Sequence, residues 1–193
     1  MDAIQILTVM ETERDMAFDT LRLGFATDPL TRWMCPASYT YMDIRTGYNA
    51  IAGRAVDHGG AFASERFAGV AMWLPPGVEP DSETMAGEFQ RLCKEEILEE
   101  VFALFEAMAA YHPEEPFWYL PMIGVDPAYQ GQGIGAALMK HVLRIIDEQG
   151  ATAYLDSTNP RNISLYQRHG FEAMGQVQVG SSPIITPMLR SPR

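Results

Sequence analysis

Apolar and polar positions alternate over Ala3–Val9, a period of two that predicts an edge strand. The period then lengthens. Over Glu11–Phe25 the pattern is helical, with Met16, Phe18, Leu21 and Phe25 as the inward residues, until Asp28-Pro29 interrupts it. A second helix is predicted over Tyr39–Asp57, ending near Gly59-Gly60. Ala61–Glu65 and Phe67–Leu74 read as a hairpin turning at Glu65-Arg66, and Pro75-Pro76-Gly77 stops its second strand. Residues 78–115 carry Phe89, Leu92, Ile97, Val101, Phe105 and Met108 at helical spacing, with acids on the other face. Gly87 and Lys94-Glu95-Glu96 divide this stretch into two pieces. It reads as an inserted amphipathic segment covering a sheet, with a lid over a pocket as the functional alternative.

An apolar run, Phe117–Val125, predicts the central strand. Pro121 inside it cannot donate to a ladder and so marks a bulge or an unpaired side. Asp126-Pro127 ends the run, and Gly131, Gly133 and Gly135 follow within five residues. From Ile134 the residues Ile134, Ala137, Leu138, Val142, Ile145 and Ile146 share one stripe, which predicts a helix over Gly133–Gln149. A strand at Thr152–Ser157, a helix at Asn159–His169 and a hairpin of Phe171–Val179 with Pro183–Leu189 complete the pattern. Residues 191–193 read as a frayed tail.

Strand, glycine-rich loop and helix in that order leave backbone N–H groups free at a helix start, where the macrodipole also favours negative charge. This is a site for a phosphate group; a glycine turn joining a buried strand to a packed helix is the structural alternative. A nucleotide P-loop requires Lys and then Ser or Thr after its last glycine, but Ala136 follows Gly135 and the first lysine is Lys140. A dinucleotide fingerprint requires G-x-G-x-x-G, whereas this loop reads G-x-G-x-G.

The spacing Gln130-x-x-Gly133-x-Gly135 resembles the pyrophosphate loop of the GNAT superfamily of N-acetyltransferases, which bind acetyl-CoA. Leu155-Asp156-Ser157-Thr158-Asn159-Pro160, followed by Leu165-Tyr166 and Gly170-Phe171, resembles the next segment of that family. There a strand leads to an Asn, then to a helix carrying Leu-Tyr, then to Gly-Phe opening another strand. Local physics agrees: Thr158 or Asn159 suits a helix cap, Pro160 the first turn and Gly170 the exit. The resemblance is specific over Phe117–Phe171 and architectural elsewhere. It implies an α/β protein of the GNAT (acyl-CoA N-acyltransferase) fold: a mixed, mostly antiparallel central sheet with a parallel splayed strand pair, flanked by helices. The expected organisation is one domain over residues 1–193, with a helical insertion at about 78–115.

Composition narrows the partners. The 193 residues are 47% hydrophobic, enough for a full core. A net charge of −11 argues against non-specific nucleic-acid binding and is compatible with a cationic acceptor. Because CoA is itself anionic, the loop would hold it through backbone N–H groups, with help from Arg161 or Arg168. Cys35 and Cys93 lack metal-type spacing, and the four histidines are scattered. The start, Met1-Asp2-Ala3-Ile4, has no secretory pattern, and no apolar run approaches a membrane span, so a cytoplasmic protein without membrane or metal is expected. A homodimer is left open.

The resemblance also implies chemistry: transfer of acetyl from acetyl-CoA, as co-substrate, to a primary amine of a small molecule by direct attack. Backbone groups of Gln130, Gly131, Gln132, Gly133, Ile134, Gly135 and Ala136 would bind the pyrophosphate. Ile123 and Val125 would pair with the pantetheine amides, and an N–H at or beside Ile123 would polarise the thioester carbonyl. Asn159 would hold the CoA arm, with helix capping as its alternative role. Tyr166 would protonate the departing sulfur, its phenol being near ~10 in the unperturbed state. The base is open among Glu65, Glu115, Asp156, Tyr119, His112 and ordered water. Trp73-Leu74-Pro75-Pro76-Gly77 resembles a subset of the family that includes puromycin acetyltransferase-like proteins. By that likeness Trp73 could line the acceptor pocket with Tyr39, Tyr41, Trp118 and Tyr119. A CoA-binding sensor without turnover is the rival reading on the same fold.

Overall fold

The computed structural model describes residues 4–193; Ala3, the first residue of the expected edge strand, lies outside them. Among the described residues the strands are β1 (Ile6–Thr8), β2 (Ala61–Ser64), β3 (Gly69–Leu74), β4 (Phe117–Val125), β5 (Thr152–Ser157), β6 (Glu172–Ala173) and β7 (Thr186–Arg190). They form one sheet in the order β1-β2-β3-β4-β5-β7-β6. Every neighbouring pair is antiparallel except β4 and β5, which run parallel.

The helices are α1 (Arg14–Gly24), α2 (Pro29–Met34), α3 (Ser38–Met42), α4 (Arg45–Ala52), α5 (Arg54–Asp57), α6 (Ser82–Leu92), α7 (Leu98–Ala109), α8 (Ile134–Glu148) and α9 (Ile163–Arg168). Asx-Pro pairs set three of the helical starts. Asp28 accepts from Thr31 N–H at 3.0 Å ahead of α2, and Asp126 accepts from Ala128 N–H at 2.9 Å ahead of a 3₁₀ turn. Asn159 accepts from Arg161 N–H at 3.1 Å ahead of another such turn leading into α9. In each case the side chain satisfies an orphan donor, and proline in the first turn surrenders none.

Two apolar clusters lie on opposite faces of the sheet. One joins α1, α4, α6 and α7 to Val70, Met72, Leu74 and Met122. The other joins α8 and α9 to Phe62, Ala71, Trp73, Trp118 and Leu120. Gly24 and Gly124 bring α1 against β4, since a Cβ at Gly24 would stand 2.9 Å from the Gly124 Cα.

Several expectations need correction. The helix expected over Tyr39–Asp57 is three short ones, and α2 precedes them. Met16 points outward and is half exposed, whereas Phe18 and Leu21 are buried. On α8 the inward set also takes Met139 and Leu143, while Ala137 and Ile145 are only half-buried. The β2–β3 connection spans residues 65–68, with Arg66 and Phe67 at positive φ (60° and 55°). The C-terminal hairpin has short ladders, because only Glu172–Ala173 and a bridge from Val177 to Ile185 pair with its returning strand. The segment 78–115 is indeed two helices, α6 and α7, broken at Cys93-Lys94.

Candidate active site

The site begins at Pro121. The parallel ladder between β4 and β5 runs from Phe117 opposite Thr152 to Leu120 opposite Leu155, and no pair follows. On the other edge of β4, Met72 stands opposite Met122 while Leu74 stands opposite Tyr119. Two residues of β4, Leu120 and Pro121, therefore face one of β3, Trp73, which is a β-bulge. The missing donor of Pro121 and the bulge end the pairing together, and the two parallel strands part beyond it.

What the parted edge offers follows from the ladder. Asp126 N–H donates to Ala68 O at 2.9 Å, which marks that pair as hydrogen-bonded. Antiparallel pairs alternate, so the peptide groups of Gly124 and Met122 turn toward β3 and those of Ile123 and Val125 turn toward the gap. Gln130 Nε2 meets one of them, donating to Val125 O at 3.1 Å.

The glycine loop closes one end of this gap. Gly131 and Gly133 adopt positive φ (77° and 84°), and α8 starts directly afterwards at Ile134. Ala137 N–H is the first to donate inside the turn, to Gly133 O at 3.0 Å; the N–H groups of residues 131–136 meet no acceptor among the described residues. These six donors at the head of a four-turn helix form a cradle suited to a pyrophosphate. Arg168 does not join it and lies instead beside Lys140 and Arg144 along the outer face of α8.

A cleft leads from the gap between Ile123 on one wall and Asn159, Asn162 and Tyr166 on the other. Asn159 uses its side-chain oxygen as the cap described above, so capping is its observed role, at the cleft edge. Tyr166 is 5% exposed and packs edge-on against Phe171. Burial, then the negative charge of Asp28, pushes its phenol above the usual value, against a lowering bond from Asn162. The phenol thus stays protonated across the neutral range, and its ordinary acidity does not apply.

Through the parted strands the cleft meets a second, mostly apolar cavity. The two share Phe25, Asp28, Pro121, Asp156 and Thr158 as wall residues. Phe89, Leu92, Phe105 and Met108 bring the 78–115 segment into the cavity wall. At the junction stand two carboxylates. Asp156 accepts from Tyr154 OH at 2.8 Å and from Tyr119 OH at 3.3 Å. Burial raises its carboxyl to about 7, against the lowering effect of both phenols. Asp28 is 5% exposed, and burial raises it too, opposed by bonds from Thr158 and Thr31.

The structure separates the other candidates. Tyr119 borders the cavity and bonds Asp156. His112 packs edge-on against Phe117 and Tyr154 and tilted against Tyr119, with centroids 5.0–5.5 Å away, so it braces the phenols without lining either space. Glu65 and Glu115 are exposed and lie away from both. Trp73 is fully buried on the α8 face, and its Nε1 has no partner among the described residues. It does not line the cavity: alternation along β3 sends Met72 and Leu74 to that face and Trp73 to the opposite one. Trp118 shares the α8 face and donates to Gln149 at 2.9 Å, Tyr39 is exposed, and the Tyr41 hydroxyl turns back to Arg22 O.

Asp28, Tyr48 and Thr158 are wall residues that the sequence reading did not assign to the site. Asp28-Pro29 carried a readable cap signal, but a cap says nothing of what the carboxylate faces. Among the described residues no three His, Cys, Asp or Glu side chains gather as metal ligands, and no helix is long and apolar enough to cross a membrane.

Comparison with known proteins fits this architecture. An uncharacterized N-acetyltransferase of Schizosaccharomyces pombe is 26% identical over 118 residues, which cover 54% of this chain and 47% of that protein. The chain spans about half the length, or less, of the curated relatives it matches first. Among solved structures, a protein described as histone acetyltransferase HPA2 and related acetyltransferase, from Corynebacterium glutamicum, superposes with a TM-score of 0.72 at 20% identity. That match covers 100% of this chain and 98% of the other. Arylalkylamine N-acetyltransferase 2 of Aedes aegypti superposes with a TM-score of 0.69 at 12% identity, over 100% of both chains. Residues 63–171, more than half of the chain and including β3, the parted strands, the glycine loop and α9, match the acetyltransferase (GNAT) family, and the chain belongs to it.

Proposed function

We propose that this chain transfers the acetyl group of acetyl-CoA to the primary amine of a small molecule by direct attack. One observation carries the reading. A single gap between parallel strands joins a cradle of free backbone N–H groups to a cavity with a near-neutral carboxylate at its mouth. Several structural neighbours are named as amine N-acetyltransferases, of arylalkylamines, polyamines and agmatine, which supports the choice of an amine acceptor.

Acetyl-CoA supplies the activated acetyl group and a thiolate leaving group. The N–H groups of residues 131–136 suit its pyrophosphate, and the outward peptide groups of Ile123 and Val125 suit an extended amide-bearing arm. An N–H at or beside Ile123 stabilises charge on the carbonyl oxygen. Asp156 takes one proton from the arriving ammonium, which frees the lone pair. The nitrogen forms the C–N bond as the C–S bond breaks, and it gives up its second proton. The Tyr166 phenol donates a proton to the sulfur, and that second proton restores the phenol through solvent. The products are the acetamide, free CoA thiol and the proton held by Asp156. A phenol raised by burial is a weaker acid than the thiol it helps form, so its hydrogen bond steadies the developing charge and transfer completes late.

Release of CoA thiol from acetyl-CoA in the presence of a primary-amine panel tests the proposal. Amine-dependent release with a matching acetamide product supports it. Tight CoA binding with no release for any amine would replace it with a binding module.

A further inference from the structure

The cavity beyond the parted strands is uneven in charge. Among the described residues its only charged wall residues are Asp28 and Asp156, both at the junction with the cleft. Farther in, the wall is Leu30, Met34, Ile44, Phe89, Phe105 and Met108. The hydroxyls in reach, Thr31 and Tyr48, stand 3.4 Å apart and bond each other. The cavity volume is about 80 Å³, so it takes a slender tail.

We infer that the acceptor is a primary amine with one cationic nitrogen and an apolar body, its ammonium at the Asp28–Asp156 junction and its hydrocarbon against the inner wall. This rests on the acetyl-transfer reading above and names its substrate class. One cation is what the junction can neutralise: burial raises the Asp156 carboxyl to about 7, so near neutrality the pair carries less than two full charges. A second ammonium or guanidinium at the far end would meet apolar side chains, the Cys35 thiol and two hydroxyls already bonded to each other, with no carboxylate among the described wall residues, and a buried charge without a counter-charge is strongly disfavoured. Diamines and guanidino-amines are therefore disfavoured by a wall that offers no second counter-charge. An alkyl or aryl tail gains there from removal of apolar surface from water.

An isosteric pair gives the sharpest test. Hexylamine and 1,5-diaminopentane match in length and differ only in a terminal methyl against an ammonium. With the full chain and saturating acetyl-CoA, kcat/KM for hexylamine and for 2-phenylethylamine should exceed that for 1,5-diaminopentane and agmatine by about 10²-fold or more. Calorimetric titration of the same four amines into the CoA-loaded protein should rank them alike. Equal or reversed preference in either measurement overturns the inference, as does failure of every amine to bind. If the amines bind in the expected order but no thiol is released, the substrate class stands as a ligand class and the acetyl-transfer reading fails. Asp28→Asn, which keeps a capping side chain, should weaken binding of hexylamine at least ~10-fold and leave CoA affinity unchanged. Unchanged hexylamine affinity in that variant would remove Asp28 from ammonium recognition.

Discussion

Thr158 Oγ1 donates to Asp28 Oδ2 at 2.6 Å across 130 residues of chain, tying the start of α2 to the end of β5. The bond lies where the cleft meets the cavity, and both residues line both spaces. It holds the two halves of the chain at a fixed separation around the parted strands. It also gives a buried carboxyl one of its acceptor contacts, the other being Thr31 N–H.

Thr158→Val keeps the shape and removes the hydroxyl. A buried acceptor then loses its partner, at a cost of about 1–3 kcal/mol in urea unfolding. The same change should raise the Asp28 carboxyl further, because the Thr158 bond lowers it. An unaltered unfolding midpoint would show that the bond carries no stability.

Asp156 should impose an acid limb on kcat/KM. As a base with its carboxyl at about 7, it is active when ionised, so the rate should rise with pH through about 7 and then level. Asp156→Asn can keep the contacts with Tyr119 and Tyr154. It should cost about 10²-fold or more in kcat/KM and abolish that limb. A variant retaining the full limb would assign it elsewhere.

The same carboxyl has a stability signature opposite in sign to the common Asp case. Its folded value lies above the ordinary carboxyl value of 3.8, so between about 4 and 7 the folded chain binds the extra proton. The contribution to stability is complete below the lower value and is lost as pH rises through the upper one. Relative to wild type, Asp156→Asn should therefore be more stable at pH 8 than at pH 5. Unfolding curves at the two pH values that show the same difference would deny the raised value.

Tyr166→Phe keeps the ring against Phe171 and removes the hydroxyl. Single-turnover rate at saturating donor and acceptor should fall by about 10²-fold, with acetyl-CoA affinity nearly unchanged. Equal single-turnover rates would leave Tyr166 as a packing residue.

Gly133→Val should abolish acetyl-CoA binding, which for the parent is expected near micromolar (about −8 kcal/mol). A Cβ there meets nothing within 4 Å, so crowding is not the reason. The reason is φ of 84°, which a β-branched residue adopts only under strain, so the loop would reshape and disperse its N–H groups. Calorimetry on the folded variant decides. Phe105→Ala, in the wall of the cavity, should instead raise acceptor KM and spare CoA affinity; loss of both together would contradict its placement.

Local chemistry was legible in the sequence because it needs only near neighbours. Gly131, Gly133 and Gly135 between an apolar run and a 3.6-residue stripe announced a strand, a loop of free donors and a helix start. Asp28-Pro29 announced the end of a helix, Asp126-Pro127 the end of a strand and Asn159-Pro160 a helical start, and Pro121 announced an interrupted ladder. Each statement depends on φ, on a missing donor or on a side chain reaching two or three residues ahead. The tertiary structure decided what those features face. All six residues of β3 are buried, so no polar alternation along it told which of Met72 and Trp73 meets the cavity; α8 on one face and α1 on the other settled it. The length of the helix after Tyr39 depended likewise on packing, which broke one periodic stretch into three pieces. The raised carboxyl of Asp156 arises from burial and is held back by two phenols, one of them 37 residues away on a neighbouring strand. A carboxylate's neighbours across a sheet leave no trace in its local sequence, and so the chain could announce a loop of free N–H groups by itself while the raised carboxyl of Asp156 and the apolar cavity wall existed only once the strands were side by side.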